Sequence, residues 1–599
     1  MRVVVLSIAA FFAFVLFAGS CSEHKTETLE GARNSIVQFE RQMDTLITEI
    51  TVLDSMLAQK AGANSLQQQF HRSRAVYKRA EAITEYYFQG LVRRINGPAL
   101  PDVKTEDGVV WPPHGFQVIE QLLFADYHDS LRKTVSEEAQ LLLTDIRFVK
   151  ANMAHNAILP RHAYELLQHE IIRIATLGIT GFDAPVSVAA IPETAAALEG
   201  IRLFCQAYFG DSVSAELNIA IDAGIGYLGA HNDFNTFNRL GFITTHLMPL
   251  SRLLDVYRPQ QADTLNFSAP FSGSFADLME GSAWNPDFYA PYAKAATSKE
   301  KVALGKLLFN DRRLSASGKI SCASCHKAGL SFTDGLPKAS NLVHGGSLPR
   351  NSPTLYYAAL QSAQFYDMRS TSLEDQINDV MQNSNEFALE ARSTAERLLA
   401  DSFYRKALQK VYGEKNQPGG YEIRNAIAAY VRSLNPFASR FDKYIRGDRK
   451  SMSQQEVNGF NLFMGKAKCG TCHFMPLFNG TTPPWFTKSE SEIIGVPERA
   501  VWNNARIDKD SGRYKINAIR ELLFAFKTPG LRNISTTAPY MHNGVYTNLE
   551  EVVEFYNKGG GVGIGIDLPS QTLPFDSLSL TVGEKKAIVA FLGTLKDSH

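Results

Sequence analysis

The chain has no surplus of either charge: 61 Lys and Arg face 61 Asp and Glu in 599 residues. Binding to nucleic acid or to an anionic membrane surface draws on a basic excess, so neither is suggested as a partner. Cysteine is scarce, six in all. Four of the six stand in two short clusters, while Cys21 and Cys205 lie in different segments, which argues against a disulfide framework. Cys205, in the apolar run Ile201-Arg202-Leu203-Phe204-Cys205, reads as a buried thiol. No apolar run after residue 17 is long enough to cross a bilayer. The length exceeds a single core and, at roughly 150 residues per domain, allows up to about four modules.

What is present begins with the leader. Arg2 is followed by an apolar run through Phe17, too short for a comfortable span, and residues 1–21 read as a signal peptide. It ends in Ala18-Gly19-Ser20-Cys21, small residues before a cysteine as in a bacterial lipobox, with alanine where leucine is preferred. Cys21 is then the expected lipidation point. The chain is expected to be exported, as a periplasmic or outer-membrane-anchored lipoprotein that touches the membrane by its lipid alone.

The sharpest chemistry lies at Cys322-Ala323-Ser324-Cys325-His326 and recurs at Cys469-Gly470-Thr471-Cys472-His473, 147 residues later. In a Cys-x-x-Cys-His run each thiol can form a thioether to a haem vinyl group, and the imidazole coordinates the iron. A four-cysteine zinc site is the plainer alternative. Zinc does not call for a histidine directly after each pair, and histidine is only 14 of 599 residues. Two covalent haems c are therefore expected, with His326 and His473 as axial ligands.

The remaining pattern is helical. Ile36, Phe39, Met43, Leu46, Ile50, Leu53 and Leu57 recur at three- and four-residue steps and make one apolar stripe. Further helices are expected near 66–90, 134–155, 160–176, 190–207 and 237–257, with a turn-rich insert around 96–113. Residues 30–257 thus read as a helical bundle, and 258–282, rich in Pro, Ser, Gly and Asp, as a linker. A short helix leads into each Cys-x-x-Cys-His, so residues 283–450 and 451–599 read as a diverged repeat of two small haem domains. The expected fold class is all-α. Within the bundle, His114-Gly115-Phe116-Gln117-Val118-Ile119-Glu120 resembles the Gly-x-His-x-x-Glu motif of imelysin-like domains, with Gln117 in place of the histidine; a capped turn leading into a helix explains the same residues.

Residues 283–599 also resemble the bacterial di-haem cytochrome c peroxidases and their relative MauG, which matures methylamine dehydrogenase. The resemblance rests on Leu304-Gly305-Lys306-Leu307-Leu308-Phe309, both haem motifs, Phe332-Thr333-Asp334-Gly335 and Arg350-Asn351-Ser352-Pro353-Thr354. It continues through Ser372-Leu373-Glu374-Asp375-Gln376, Thr528-Pro529-Gly530-Leu531-Arg532-Asn533 and Ala538-Pro539-Tyr540-Met541-His542-Asn543-Gly544, all in the family's order. It implies that hydrogen peroxide is reduced to water at the first haem. The electrons then come through the second haem from an external donor such as a small c-type cytochrome. A MauG-like oxidase acting on a protein or organic substrate is a competing reading, as is an electron-carrying or haem-bearing lipoprotein whose bundle does the recognising. A homodimer stays open.

The same resemblance assigns roles by position. Read alone, Glu386 is an ordinary carboxylate near a helix start, and Thr371 with Glu374 reads as a capping box for the helix that carries Gln376. The family pattern makes Glu386 the catalytic acid–base group and Gln376 its distal companion. His344 takes the place of a loop histidine that caps the first iron in some members; otherwise it is an exposed loop residue. Asn351, Thr537 and Pro539 match positions that bind a calcium ion, and Tyr366 stands where a tryptophan bridges the haems. Fourteen residues after His542, where many members place a methionine ligand, the chain has Tyr556. MauG-like members put a tyrosine ligand there, so Tyr556 is the expected sixth ligand of the second haem.

Overall fold

Helix α1 (Arg2–Ala58) carries the apolar stripe that opens the chain. Phe39, Met43, Leu46, Ile50, Leu53 and Leu57 are all buried on it. Ile36 is only half-buried, and Ser35 beside it is turned inward, its hydroxyl donating to the Gly31 carbonyl at 2.9 Å. The computed structural model describes residues 2–210, 215–259, 269–413 and 418–598, with side chains from residue 29 onward except 391 and 392. Cys21 therefore has its side chain outside the described residues. Among those described, no helix is long and apolar enough to cross a membrane.

The chain divides into two units. The first takes in the described residues of Met1–Ala99, Pro112–Phe237 and Gly241–Thr264, the second those of Leu100–Trp111, Asn238–Leu240 and Leu265–His599. In the first unit α1 packs against α2 (Ala63–Tyr87), α5 (Arg132–Met153) and α7 (Ala190–Phe209), with α3 (Gln89–Asn96), α4 (Phe116–Phe124) and α6 (Pro160–Arg173) between them in the sequence. The expected helices did not include α8 (Ala215–Ala230), which carries Gly224, Gly226 and Gly229. Gly224 explains why a glycine stands there, since a Cβ on it would come within 3.1 Å of Leu198 on α7. The interior of this unit is unusually ionic. Lys78 bridges Asp183 at 2.6 Å and Glu81 at 2.8 Å, Arg173 meets Asp183 at 2.8 Å and Glu81 at 3.1 Å, and Arg74 meets Glu193 at 2.5 Å. Burying that many charges is tolerated only because each cation answers a carboxylate.

The second unit repeats one device. The helix Lys299–Phe309 packs on Gly420–Arg432, and Gln454–Phe463 packs on Val582–Thr594. Each crossing is made at a glycine. A Cβ on Gly305 would fall 1.8 Å from the Ala426 carbonyl oxygen, and one on Gly459 would fall 2.0 Å from that of Ala587. No side chain fits there. Leu308, Leu398, Leu408, Ile423 and Ala426 fill the first core; Phe441, Phe460, Phe463, Phe478 and Phe591 stack edge-to-face and offset in the second.

Strands are few and short: Asp102–Lys104 pairs with Val109–Trp111 in the insert, and Ser491–Glu492 with Phe526–Lys527. The fold is all-α, as expected. Of the stretch read as a linker, residues 260–268 lie outside the described residues. Residues 275–280 form a helix capped by Ser274, which accepts from the Asp277 amide at 3.3 Å and packs near Arg440–Ile445.

Candidate di-haem site

Cys322–Cys325 is a single helical turn, and the spacing puts both thiols on one face. His326 then leaves the helix, and its Nδ1 meets the Phe332 carbonyl at 2.9 Å. A nitrogen facing a carbonyl must carry the proton, so Nε2 keeps its lone pair for a metal. The second motif repeats this. Cys469–Thr471 forms a tight turn, and His473 Nδ1 donates to the Pro529 carbonyl at 3.1 Å. Burial lowers the pKa of both imidazoles, that of His473 to about 4, which favours the neutral form that a metal would need. Burial raises the thiols, Cys322 and Cys469 to about 12 and Cys325 to about 11. As free thiols all four would be poor nucleophiles.

Glu386 lies beside the first motif, close enough for its charge to add to the rise of the Cys325 thiol. Its Oε2 accepts from Asn383 Nδ2 at 2.6 Å, and burial holds its own pKa above the usual carboxylate range, with Asn383 and Arg369 opposing. It sits in the 384–387 turn itself, well before the next helix at Ala391. Gln376 is half-buried on the helix Leu373–Gln382. That helix is capped one residue later than expected. Ser372 accepts from the Asp375 amide at 3.1 Å, while Glu374 is buried and pairs with Arg432 at 2.6 Å and Asn425 at 2.8 Å. The cap is Ser372 alone, whose hydroxyl also donates to Asp375 Oδ2 at 2.7 Å, while Glu374 answers a buried guanidinium. Arg369, which the motifs did not point to, lies over the Phe365 ring at 3.4 Å and pairs with Asp367 at 2.9 Å.

Tyr556 lies beside the second motif. Burial, followed by the charges of Cys472 and Cys469, pushes its phenol up. Between the motifs, Tyr366 donates its phenol proton to Asn351 Oδ1 at 2.6 Å, and its carbonyl accepts from the Lys527 amide at 2.7 Å. Asn351 Nδ2 donates to the carbonyls of Met541 at 2.9 Å and Pro539 at 3.3 Å. Arg350 next door bridges Asp367 and Asp510, both at 2.6 Å. His542 stacks on Phe526 at 4.0 Å. Thus Asn351, Pro539 and Tyr366 come together: the side-chain oxygen of Asn351 accepts from Tyr366, its amide donates to the Pro539 carbonyl, and the Thr537 hydroxyl donates to the Ile534 carbonyl at 3.1 Å. His344 is exposed, its amide bonded to Asn341 Oδ1 at 2.9 Å, at the tip of a turn.

In the bundle, the imelysin-like residues open α4. Gly115 has φ 89°, and a Cβ there would strike the Arg94 carbonyl at 2.2 Å. Gln117 donates to the Asn96 carbonyl at 2.8 Å and Glu120 accepts from the Ser187 amide at 2.8 Å. Among the described residues no group of three or more His, Cys, Asp or Glu is arranged to hold a metal ion.

Residues 299–450 match the family model described as di-haem cytochrome c peroxidase. The cytochrome-c peroxidase IdrP2 of Denitromonas iodatirespirans is 33% identical over 51% of this chain and 83% of its own. The chain belongs to the di-haem cytochrome c peroxidase family. The methylamine utilization protein MauG of Methylorubrum extorquens is 34% identical over 51% of this chain and 81% of its own. A solved MauG-like protein associated with microbial copper homeostasis is 29% identical over 53% of this chain and 96% of that one, with a TM-score of 0.45. Each of these relatives matches about half of this chain.

Family members carry two c-type haems, and the residues here fit them. Each motif offers two thiols on one face of a turn and one imidazole whose Nδ1 is committed to a carbonyl. Cys322, Cys325 and His326 would hold the first haem, and Cys469, Cys472 and His473 the second. Bound there, a haem supplies one-electron redox chemistry at iron.

Proposed function

We propose that the chain reduces hydrogen peroxide to water at the first haem, with electrons supplied through the second from an external donor such as a small c-type cytochrome. The observation that carries this is Glu386. Splitting a peroxide bond needs a group that takes a proton from the near oxygen and delivers one to the far oxygen. A half-buried carboxylate beside Cys325, with its pKa held up by burial, is suited to both halves of that transfer. Gln376 orients peroxide or water in the same pocket, and Tyr366 carries electrons between the haems. His344, exposed on its turn, would cap the first iron only if that loop moved inward.

Tyr556 favours a second reading. A phenolate oxygen on the second iron would stabilise the ferric state and make an ordinary cytochrome a poor donor. The electrons would then come from a protein or organic substrate, as in a MauG-like oxidase. Spectra of the ferric protein decide the ligand, because Tyr556→Phe must change the low-spin signal of the second haem if the phenol is bound. Steady-state peroxide consumption with a reduced cytochrome, in wild type and Glu386→Gln, decides the activity. Full turnover in the variant would remove Glu386 from the mechanism. The proposal includes export, with lipid on Cys21, since covalent haem attachment to Cys-x-x-Cys-His suits a compartment outside the cytoplasm; radiolabelled palmitate should mark the wild type and leave Cys21→Ala unlabelled.

A further inference from the structure

The ionic interior of the first unit holds more acid than base. Glu81, Glu85, Glu120, Glu170, Asp183 and Glu193 are each at most 7% exposed, and three cations stand among them, Arg74, Lys78 and Arg173. Five of the six acids are answered. Glu193 pairs with Arg74 at 2.5 Å, and Glu85 with Arg173 at 3.2 Å. Lys78 gives its Nζ to both oxygens of Glu81 and to Asp183, and Arg173 meets the same two acids at 3.1 and 2.8 Å. Glu120 accepts from the Ser187 amide at 2.8 Å and from its hydroxyl at 2.5 Å. Glu170 is the exception: it is 2% exposed, and neither of its carboxyl oxygens has a hydrogen-bond partner.

Glu170 lies on α6, which packs on α2, on α7 and on the helix Met248–Leu254. The charged groups facing it are Lys78, Glu81 and Glu85 of α2, and Arg173 one turn further along α6. Of the remaining neighbours, Glu193 of α7 is held by Arg74, Arg252 is exposed, and Asp255 pairs with Arg258 at 2.9 Å. His169 beside it is neutral, because burial lowers its pKa to about 3. Burial, then the charge of Glu81, pushes the Glu170 carboxyl well above the usual range, with Arg173 and Lys78 opposing. A buried acid with no partner takes a proton rather than hold an unpaired charge.

We propose that Glu170 is held as the neutral carboxylic acid and that its proton latches α6 against α2, so that the first unit tightens in a neutral or acidic medium and loosens in an alkaline one. Ionised in place, Glu170 would add a negative charge beside Glu81 and Glu85, while Lys78 and Arg173 are already given to other acids. What yields is the packing of α6 on α2, and with it the π-helical turn Ile174–Gly178 that leads on toward Asp183. In an opened unit the carboxyl meets water and returns to its ordinary value of 4.5, whereas the closed unit keeps the proton to higher pH. Closing therefore weakens by about tenfold in its equilibrium constant for each pH unit above that value, until Glu170 ionises in place. The device is independent of the haem reaction proposed above.

The test is hydrogen–deuterium exchange of peptides from α2 and α6 in the full-length holoprotein, wild type against Glu170→Gln, across a pH series from about 5 to about 9. Glutamine has the shape of the neutral acid and no proton to lose. Protection should be close to equal at the acid end, and the wild type should then lose protection relative to Glu170→Gln by up to about tenfold per pH unit. Weaker protection in the variant at the acid end would show an ionised Glu170 answering the cations, and a ratio flat with pH would show that no proton is held; either overturns the proposal. Peptides from Gly420–Arg432 in the second unit should keep one ratio throughout, and a matching loss there would place the effect elsewhere and overturn it as well. A second readout is infrared: at neutral pH the wild type should show the stretch of a protonated carboxylic acid that Glu170→Gln removes. Should the variant fail to fold, the wild-type spectrum still decides, since absence of that band would sink the latch.

Discussion

The two haem segments use the same frame with different surroundings. In each, a helix crosses another at a glycine, a turn presents two thiols, and a histidine gives its Nδ1 proton to a backbone carbonyl. Beside the first motif stand a carboxylate and a guanidinium, Glu386 and Arg369. Beside the second stands a phenol backed by rings, Tyr556 with Phe555 and Tyr546. Under the proposed function, the polar surroundings would move protons and the aromatic ones electrons. A repeated frame can thus be divided between the two halves of one reaction by the residues around it.

The shared frame should be the costliest thing to break. Two carboxylate–arginine pairs are buried, Glu374 with Arg432 at 2.6 Å inside the first segment and Asp442 with Arg532 at 2.9 Å between the first and the second, all four side chains at most 2% exposed. Removing one partner of such a pair costs about 3–5 kcal/mol. Arg532→Met and Arg432→Met should each lose that much in denaturant unfolding, and a loss for Arg432→Met alone would show that the joint between the segments does not support the fold. The difference between them is tested next. Glu386→Gln should reduce peroxide turnover by at least about a hundredfold with haem content unchanged and the second haem's spectrum intact. The glycine crossings come third. Gly305→Ala and Gly459→Ala overpack a backbone contact and should each destabilise by about 1–3 kcal/mol, read as a lower melting midpoint. The smallest effect lies at Lys527, between the segments, whose ammonium burial pushes down to about 8, with Asp367 opposing. The unfolded chain holds that proton to higher pH than the folded one. Stability relative to Lys527→Met should therefore rise with pH from about 8 to about 10.5, and a flat difference would show that Lys527 is not desolvated.

Much of this was legible in the residues. The periodic stripe of α1 named its buried face almost residue by residue, since a 3.6-residue repeat leaves little freedom. The haem motifs carry thiols and imidazole in consecutive positions, so local chemistry sufficed. What the sequence hid depended on distant partners. The cap slipped by one residue because Arg432, 58 positions away, claims Glu374. The helix α8 went unseen because glycine weakens a helical pattern, and the close packing that Gly224 makes against Leu198 is indistinguishable from a turn in one dimension. Ring contacts such as Trp502 on Tyr546 and Tyr546 beside Phe555 join distant positions, and no spacing rule announces them.

Asn351 has a consequence of another kind. Through one backbone amide and one side chain it closes four hydrogen bonds, to His542, Met541, Pro539 and Tyr366. A short amide satisfied on every side has no second rotamer of comparable energy, so it acts as a rivet between the parts of the chain that carry the two haems. Electron tunnelling falls steeply with distance, and a riveted gap does not breathe. If both haems are held there and exchange electrons as proposed, the rate of that exchange should be indifferent to solvent viscosity.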